Sequence, residues 1–205
     1  MQIISHRGYW RAPSEKNTRA AFDRTVAAGF GTETDVRDLA GRLVVSHDPP
    51  AGGEMDWAEL LEIFRGRGLP LAVNVKADGL APLLQSAFEG WDAHWFAFDM
   101  SGPETVRYAR LGLPFYTRHS DLEPEPILYA QAKGVWLDSF TDDAWIDAGA
   151  VAGHLSVGKA VCVVSSELHG RDPAPLWARL RGLKGLAGVT LCTDRPDDAR
   201  MGLDL

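Results

Sequence analysis

Two carboxylates stand two residues apart in the run TETDV, where only Thr34 separates Glu33 from Asp35. On a β-strand, side chains at positions i and i+2 point to the same face of the sheet. Both carboxylates therefore face one side, where they repel each other unless a cation lies between them. The pair is a candidate for chemistry rather than for packing.

Two histidines follow other short apolar runs, His6 after IIS and His47 after RLVVS. If a hairpin turns around Ala40 and Gly41, the numbers of paired residues sum to about 81, which places His47 opposite the Glu33–Asp35 segment. Imidazole accepts and donates protons near pH 7, so two histidines beside two carboxylates predict metal-assisted general acid–base chemistry. Any one of the four alone would more often be a hydrogen-bonded or salt-bridged core residue.

The elements that position these residues alternate along the whole chain. Strand-like runs alternate with segments of helical period, which include TRAAFDRTVAAG, WAELLEIFRG, PEPILYAQAKG, DDAWIDAGAVAG and APLWARLRG. The strand-like runs are IIS, TETDV with RLVVS as its hairpin return arm, LAVNV, WFAFDM, LPFYT, VWLDS, AVCVV and VTLCT. Eight such pairs predict a single-domain (β/α)8 TIM barrel over residues 1–205, with a doubly wound open sheet as the alternative.

In a barrel of this kind the chemistry lies at the carboxyl ends of the strands, where the βα loops begin. Polar residues follow nearly every strand-like run. They are His6, Arg7, Glu33, Asp35, His47, Asp48, Asn74 and Lys76 on the first strands, then Asp99, Arg118, His119, Asp138, Glu167 and Asp194.

Composition limits the partners. The chain has 205 residues, 45% hydrophobic and 24% charged, which is ordinary for one soluble domain. Its 21 basic and 28 acidic residues give a net charge of −7, which disfavours nucleic-acid binding. Cys162 and Cys192 lie in apolar runs and are expected to be buried free thiols, which fits a cytoplasmic protein. We find neither a signal-peptide pattern nor a transmembrane segment, and the oligomeric state is not predicted.

Five motifs together resemble those of the glycerophosphodiester phosphodiesterases. They are HRG at 6–8, EKNTRAAF at 15–22, TETDV at 32–36, VVSHD at 44–48 and TDRPD at 193–197. They follow the order of that family and span nearly the whole chain. The resemblance implies a TIM barrel that hydrolyses a small phosphodiester, such as a lipid-headgroup diester, with a bound divalent cation, Mg²⁺ or Ca²⁺.

The same resemblance implies roles for seven residues. His6 and His47 correspond to the general acid–base pair, and Arg7 to the arginine that contacts the phosphate. Glu33 and Asp35 match two metal ligands. We add Lys76 as a second cation near the phosphate and Asn74 as the third metal ligand.

Two departures from the family pattern affect these expectations. The family usually has Glu-x-Lys where this chain has Asn74-Val75-Lys76, and an amide oxygen brings no charge to a cation. Asp99 or Glu167 could compensate. Only about twenty residues separate His47 from the next strand, too few for the small capping subdomain that the family commonly inserts there, so an open site is expected.

Two alternatives remain from the sequence. Asn74 in place of a glutamate favours a barrel that binds a phosphorylated ligand without turning it over. The histidine, Glu-x-Asp, histidine arrangement is also similar to that of the sphingomyelinase D enzymes, which allows a cyclising phospholipid lyase.

Overall fold

Eight parallel strands form a nearly closed barrel surrounded by helices in the computed structural model, which describes all 205 residues. The strands are β1 (Gln2–His6), β2 (Gly31–Leu39), β3 (Arg42–Val45), β4 (Leu71–Val75), β5 (Trp95–Phe98), β6 (Tyr116–His119), β7 (Gly134–Leu137), β8 (Ala160–Val164) and β9 (Val189–Thr193). The helices are α1 (Arg19–Ala27), α2 (Trp57–Phe64), α3 (Ala81–Ala87), α4 (Gly102–Leu111), α5 (Ala148–Ser156), α6 (Ala174–Leu180) and α7 (Pro196–Gly202).

The strand order decides between the two predicted folds. It runs β5, β4, β2, β1, β9, β8, β7, β6, and β3 pairs only with β2. The two end strands meet at a parallel bridge between Ala97 and Phe115, where the Ala97 N–H donates to the carbonyl of Pro114 at 3.0 Å. The predicted (β/α)8 barrel is confirmed, and the doubly wound sheet is wrong.

The hairpin between β2 and β3 has the predicted register. Ala40 and Gly41 both have positive φ, 51° and 81°, as a two-residue turn of primed type requires. Val36 pairs with Val45 and Leu39 with Arg42, each pair summing to 81. The Ser46 N–H then donates to the carbonyl of Asp35 at 3.2 Å. The hairpin therefore brings the segment that carries His47 beside the Glu33–Asp35 pair.

An apolar cluster fills the barrel beneath its polar mouth. Phe96 stacks on Tyr116 with ring centroids 3.6 Å apart, and Phe98 stacks on Trp136 at 3.8 Å. The rest of the cluster is Ile4, Ala72, Cys162, Val164 and Cys192. Both cysteines are buried and free, as predicted. Two larger clusters lie between the strands and the helices.

The structure differs from the prediction after β6, where PEPILYAQAKG forms turns instead of a helix. Pro124 and Pro126 lack the N–H that an α-helix needs and disfavour helical geometry in the residues before them. Leu128 adopts a left-handed conformation, with φ of 51°. The predicted helix over 142–153 is also shorter, because α5 begins only after Asp147, whose side chain accepts the N–H of Ala150.

No helix combines the length and the apolar character needed to span a bilayer.

The start of β2 tolerates only glycine, which gives a first prediction. A Cβ on Gly31 would lie 2.4 Å from the carbonyl oxygen of Pro70 and 2.8 Å from a methyl of Ile4. We expect Gly31→Ala to lower the free energy of unfolding by about 1–3 kcal/mol, measured by chemical denaturation, because two strands must move apart. Gly153→Ala is the control, since a Cβ there meets nothing within 4 Å and alanine favours the helix. Equal stability of the two variants would contradict the prediction.

Candidate active site

His6 is held at the end of β1 by a carboxylate from the last strand's loop. Its Nδ1 lies 2.7 Å from Oδ1 of Asp194, and its Nε2 lies 3.9 Å from Oε2 of Glu33. Because a carboxylate only accepts hydrogen bonds, Nδ1 carries a proton, and in the neutral form of the ring the lone pair is on Nε2. His6 therefore presents a proton acceptor toward the carboxylate pair.

Two side chains from the segment that follows β1 contact Asp194. Trp10 Nε1 donates to its Oδ1 at 3.3 Å, and Lys16 Nζ lies 3.6 Å from its Oδ2. Burial alone would raise the pKa of Asp194, but the hydrogen bond and charge of His6, with smaller effects of Lys16 and Trp10, lower it below its ordinary value. Asp194 therefore stays ionised and stabilises a protonated His6.

Glu33 is almost fully buried beside a second carboxylate. Its side chain is 1% exposed, and its Oε2 accepts the backbone N–H of Arg7 at 3.2 Å. Burial and the charge of Asp35 raise its pKa to about 7, against the opposing effects of His6, Arg7 and Lys76. The mutual repulsion predicted for the pair is present.

Asp35 is fully buried and is the centre of a cationic and polar cage. Its Oδ2 lies 2.9 Å from Nε of Arg7 and accepts Nδ2 of Asn17 at 2.8 Å, and its Oδ1 lies 3.4 Å from Nζ of Lys76. The two terminal nitrogens of Arg7 make no hydrogen bond within the protein, so they remain available to a ligand.

The turn after β1 makes the cage possible. Arg7 has a φ of 59°, which lets its backbone N–H reach Glu33 while its side chain reaches Asp35. Gly8 follows with a φ of 84°, and a Cβ there would lie 2.7 Å from Cβ of Ala21. The HRG motif therefore determines the backbone conformation of this turn as well as supplying the side chains of His6 and Arg7.

Three buried oxygens on neighbouring strands have no hydrogen-bond donor. They are Oε1 of Glu33, Oδ1 of Asp35 and Oδ1 of Asn74. Asn74 is the register partner of Asp35 on β4, so both side chains project from the same face. No three His, Cys, Asp or Glu side chains form a metal-binding group, but two carboxylates and an amide oxygen suit a hard cation such as Mg²⁺ or Ca²⁺. These residues fit the predicted cation.

His47 lies at the edge of this arrangement rather than within it. Its side chain is 45% exposed, and its Nδ1 lies 2.9 Å from Oδ1 of Asp48. It lines a cavity of about 710 Å³ together with Arg7, Lys16 and Asn17. Residues 48–56 form a loop that leads into α2 without a capping subdomain, so this cavity is open, as expected.

The two compensating carboxylates considered from the sequence are engaged elsewhere. Asp99 pairs with Arg118. Glu167 accepts the hydroxyls of Ser165 and Thr193 and, at 3.0 Å, the backbone N–H of Asp194. Glu167 therefore holds the loop that carries Asp194 instead of supplying a metal ligand.

Sequence reasoning assigned no role to Asp194, Lys16 or Asn17, although all three lie inside the quoted motifs. The structure brings His6, Arg7, Glu33, Asp35, Asn74 and Lys76 together at one end of the barrel, as predicted. The catalytic, substrate and metal roles of these residues and of His47 remain predictions.

Comparison with known proteins adds evidence at the level of the fold. No protein-family model matches the chain, and no curated protein matches it in sequence. A phosphodiesterase of Oleispira antarctica, solved in complex with the product sn-glycerol-3-phosphate, superposes with a TM-score of 0.75 at 16% identity. The match covers 100% of this chain and 97% of the other. The chain shares the fold of phosphodiesterases.

Two further structures are similar over nearly the whole chain. A Ca²⁺-dependent phosphatidylinositol-specific phospholipase C from Streptomyces antibioticus gives a TM-score of 0.54 at 13% identity, covering 97% of this chain and 96% of that one. The spore coat polysaccharide biosynthesis protein SpsE of Bacillus subtilis gives 0.59 at 15%, covering 99% and 66%. Because the third protein is not described as a phosphodiesterase, the barrel alone does not decide the chemistry.

The raised pKa of Glu33 gives a second prediction. Because its pKa rises from 4.5 to about 7 on folding, the folded state holds this proton more tightly, and the metal-free protein loses stability as pH rises between those values. We expect the Tm in EDTA to be lower at pH 8 than at pH 5, and Mg²⁺ or Ca²⁺ to restore it at pH 8. In Glu33→Gln, the part of the Tm difference between pH 5 and pH 8 that arises from Glu33 should be absent.

Glu89→Gln provides the control for that experiment, because Glu89 is exposed and forms no ion pair. It should keep the wild-type pH dependence and the response to cations. A cation effect that is identical in Glu33→Gln and wild type would place the ion elsewhere.

Proposed function

We propose that this protein is a phosphoric diester hydrolase that uses His6 and His47 as a general acid–base pair. The observation that carries the proposal is the orientation of His6, whose Nδ1 is held by Asp194 while Nε2 faces the buried carboxylates. This arrangement resembles a histidine base stabilised by a carboxylate, which contributes to proton transfer in many hydrolases.

Positive groups for the phosphate surround the same carboxylates. Arg7 offers its free terminal nitrogens, and Lys76, which directly follows β4, has its ammonium 3.4 Å from Asp35. A phosphodiester carries one negative charge and gains more on its equatorial oxygens in the transition state, so donors placed there stabilise the transition state. A bound divalent cation, held by Glu33, Asp35 and the amide oxygen of Asn74, would add Lewis-acid stabilisation of that charge.

The reaction then divides into two steps. In the first, a substrate hydroxyl next to the phosphate attacks phosphorus, and Nε2 of His6 takes its proton. His47 protonates the leaving alkoxide oxygen as its bond to phosphorus breaks. In the second, the roles reverse: His47 takes a proton from water, which opens the cyclic phosphate, and His6 returns its proton to the released hydroxyl.

A glycerophosphodiester is the substrate class we propose. Support comes from the five motifs and from the Oleispira antarctica phosphodiesterase of the same fold, whose structure holds sn-glycerol-3-phosphate. The open cavity beside His47, about 710 Å³, is large enough for a small diester of this kind.

Two alternatives each have a specific observation in their favour. The neutral amide of Asn74 and the exposed position of His47 favour a barrel that binds a phosphorylated ligand without turnover. The histidine, Glu-x-Asp, histidine arrangement of the motifs is also similar to that of enzymes that stop at the cyclic phosphate. Analysis of the final product by ³¹P NMR separates these possibilities from hydrolysis.

The third prediction tests the two histidines. With glycerophosphocholine and added Mg²⁺ or Ca²⁺, we expect His6→Ala and His47→Ala each to lower kcat by about 10²–10⁴-fold, because each removes one proton-transfer group. Asp194→Asn should lower kcat by at least about tenfold, because an amide no longer selects the Nδ1–H form of His6. Release of glycerol phosphate is the measurement.

His94→Gln is the matched histidine control. His94 precedes β5 at the opposite end of the barrel and should leave kcat unchanged. Activity that survives both His6→Ala and His47→Ala would refute the mechanism. Tight binding of glycerol phosphate by a wild-type protein that hydrolyses no diester would instead favour the binding barrel.

A further inference from the structure

The ammonium group of Lys16 has no hydrogen-bond acceptor within the protein. In the segment that follows β1, it lies over the indole of Trp10, 4.6 Å from the ring centroid. Its Nζ is 3.6 Å from Oδ2 of Asp194, which is close enough for an ion pair but too long for a hydrogen bond. Although the Lys16 side chain is only 26% exposed, its three N–H groups therefore remain available to a ligand.

Lys16 faces the space where the proposed chemistry takes place. It lines the cavity of about 710 Å³ together with Arg7 and His47. In the proposed mechanism the phosphate contacts the free terminal nitrogens of Arg7, and the leaving oxygen receives a proton from His47. A phosphodiester bound in this way lies within the cavity, and the ammonium of Lys16 faces it.

The charged residues that line this cavity balance in number but not in exposure. Three are cations and three are carboxylates: Arg7, Lys16, Arg19, Asp48, Glu54 and Glu59. Asp48 is 88% exposed, and Glu59, 54% exposed, lies 3.7 Å from Arg19. Glu54 accepts backbone N–H groups of its own loop. Because solvent screens exposed charges most, the partly buried Arg7 and Lys16 interact more strongly with an anion in the cavity.

A carboxylate outside the cavity holds each of these two cations. Oδ2 of Asp35 lies 2.9 Å from Nε of Arg7, and Oδ2 of Asp194 lies 3.6 Å from Nζ of Lys16. Neither carboxylate lines the cavity. The Trp10 ring adds a cation–π contact that also restricts the lysine. A long side chain held in this way loses less conformational entropy when it binds a ligand. Lys16 therefore resembles Arg7 in its arrangement.

We propose that Lys16 donates a hydrogen bond to a non-bridging oxygen of the phosphodiester and is a further catalytic residue. The inference rests on the proposed function and adds a third cation to Arg7 and Lys76. The non-bridging oxygens gain negative charge in the transition state, so this contact strengthens there and lowers the barrier. Lys16 transfers no proton, and its ammonium keeps its charge throughout.

Lys16→Met tests the contact, because methionine is nearly as long as lysine but carries no charge. With glycerophosphocholine and Mg²⁺ or Ca²⁺, we expect kcat/KM to fall about 10- to 100-fold, as for loss of a hydrogen bond to a charged group, with most of the loss in kcat. Lys16→Arg keeps the charge and should retain more activity than Lys16→Met. Lys133→Met is the matched control and should leave kcat/KM unchanged, because Lys133 is exposed and precedes β7 at the opposite end of the barrel.

Asp194→Asn separates a contact with the substrate from an effect through Asp194. If Lys16 acts only by holding Asp194, Lys16→Met costs nothing further in the Asp194→Asn background. A direct contact predicts that it still lowers kcat/KM by about tenfold in that background. Equal kcat/KM of Asp194→Asn and the double variant would overturn the proposal while leaving the hydrolase intact.

If no diester is hydrolysed, titration with sn-glycerol-3-phosphate followed by ³¹P NMR decides separately. An affinity that Lys16→Met lowers at least about fivefold, and that Lys133→Met leaves unchanged, supports the phosphate contact although the hydrolase is wrong. Equal affinity of wild type and Lys16→Met, or no binding at all, refutes the contact.

Discussion

Two carboxylates buried side by side at the end of an apolar barrel constrain everything around them. Glu33 is 1% exposed and Asp35 is fully buried, and burying unpaired charge costs several kcal/mol. The fold responds by placing Arg7, Lys76 and the amide of Asn17 around Asp35. Even so, one oxygen of each carboxylate lacks a hydrogen-bond donor. The oxygens without a donor favour binding of a cation at this end of the barrel. That cation, together with Arg7 and Lys76, would in turn attract a phosphate.

The features predicted correctly are those determined by short-range patterns. Alternation of apolar strands with helical segments is periodic, so it predicted the eight parallel strands. The β2–β3 hairpin depends on only two turn residues, Ala40 and Gly41, so its register followed from counting. The helix expected over 124–134 failed because its apolar period was outweighed by Pro124, Pro126 and the left-handed Leu128.

The residues that escaped prediction act through long-range contacts. Asp194 reaches His6 only because β9 pairs with β1, which closes the barrel across 188 residues of sequence. Asn17 reaches Asp35 because its own backbone is left-handed, with φ of 59°, which directs its side chain back toward β2 before α1 begins. Residue type marked both as polar, but only the closed barrel shows what each one touches.

The segment between β6 and β7 has turns where every regular (β/α) unit would have a helix. Residues 122–125 are exposed and have no place in the apolar clusters, yet Glu123 and Glu125 line the mouth. Substitutions and insertions in this segment therefore need not disturb the packed interior. Changes on β1 and β2, in contrast, must preserve the cage around Asp35. We expect barrels that descend from a common ancestor with this one to diverge first in this segment, which would give them new substrates at little cost in stability.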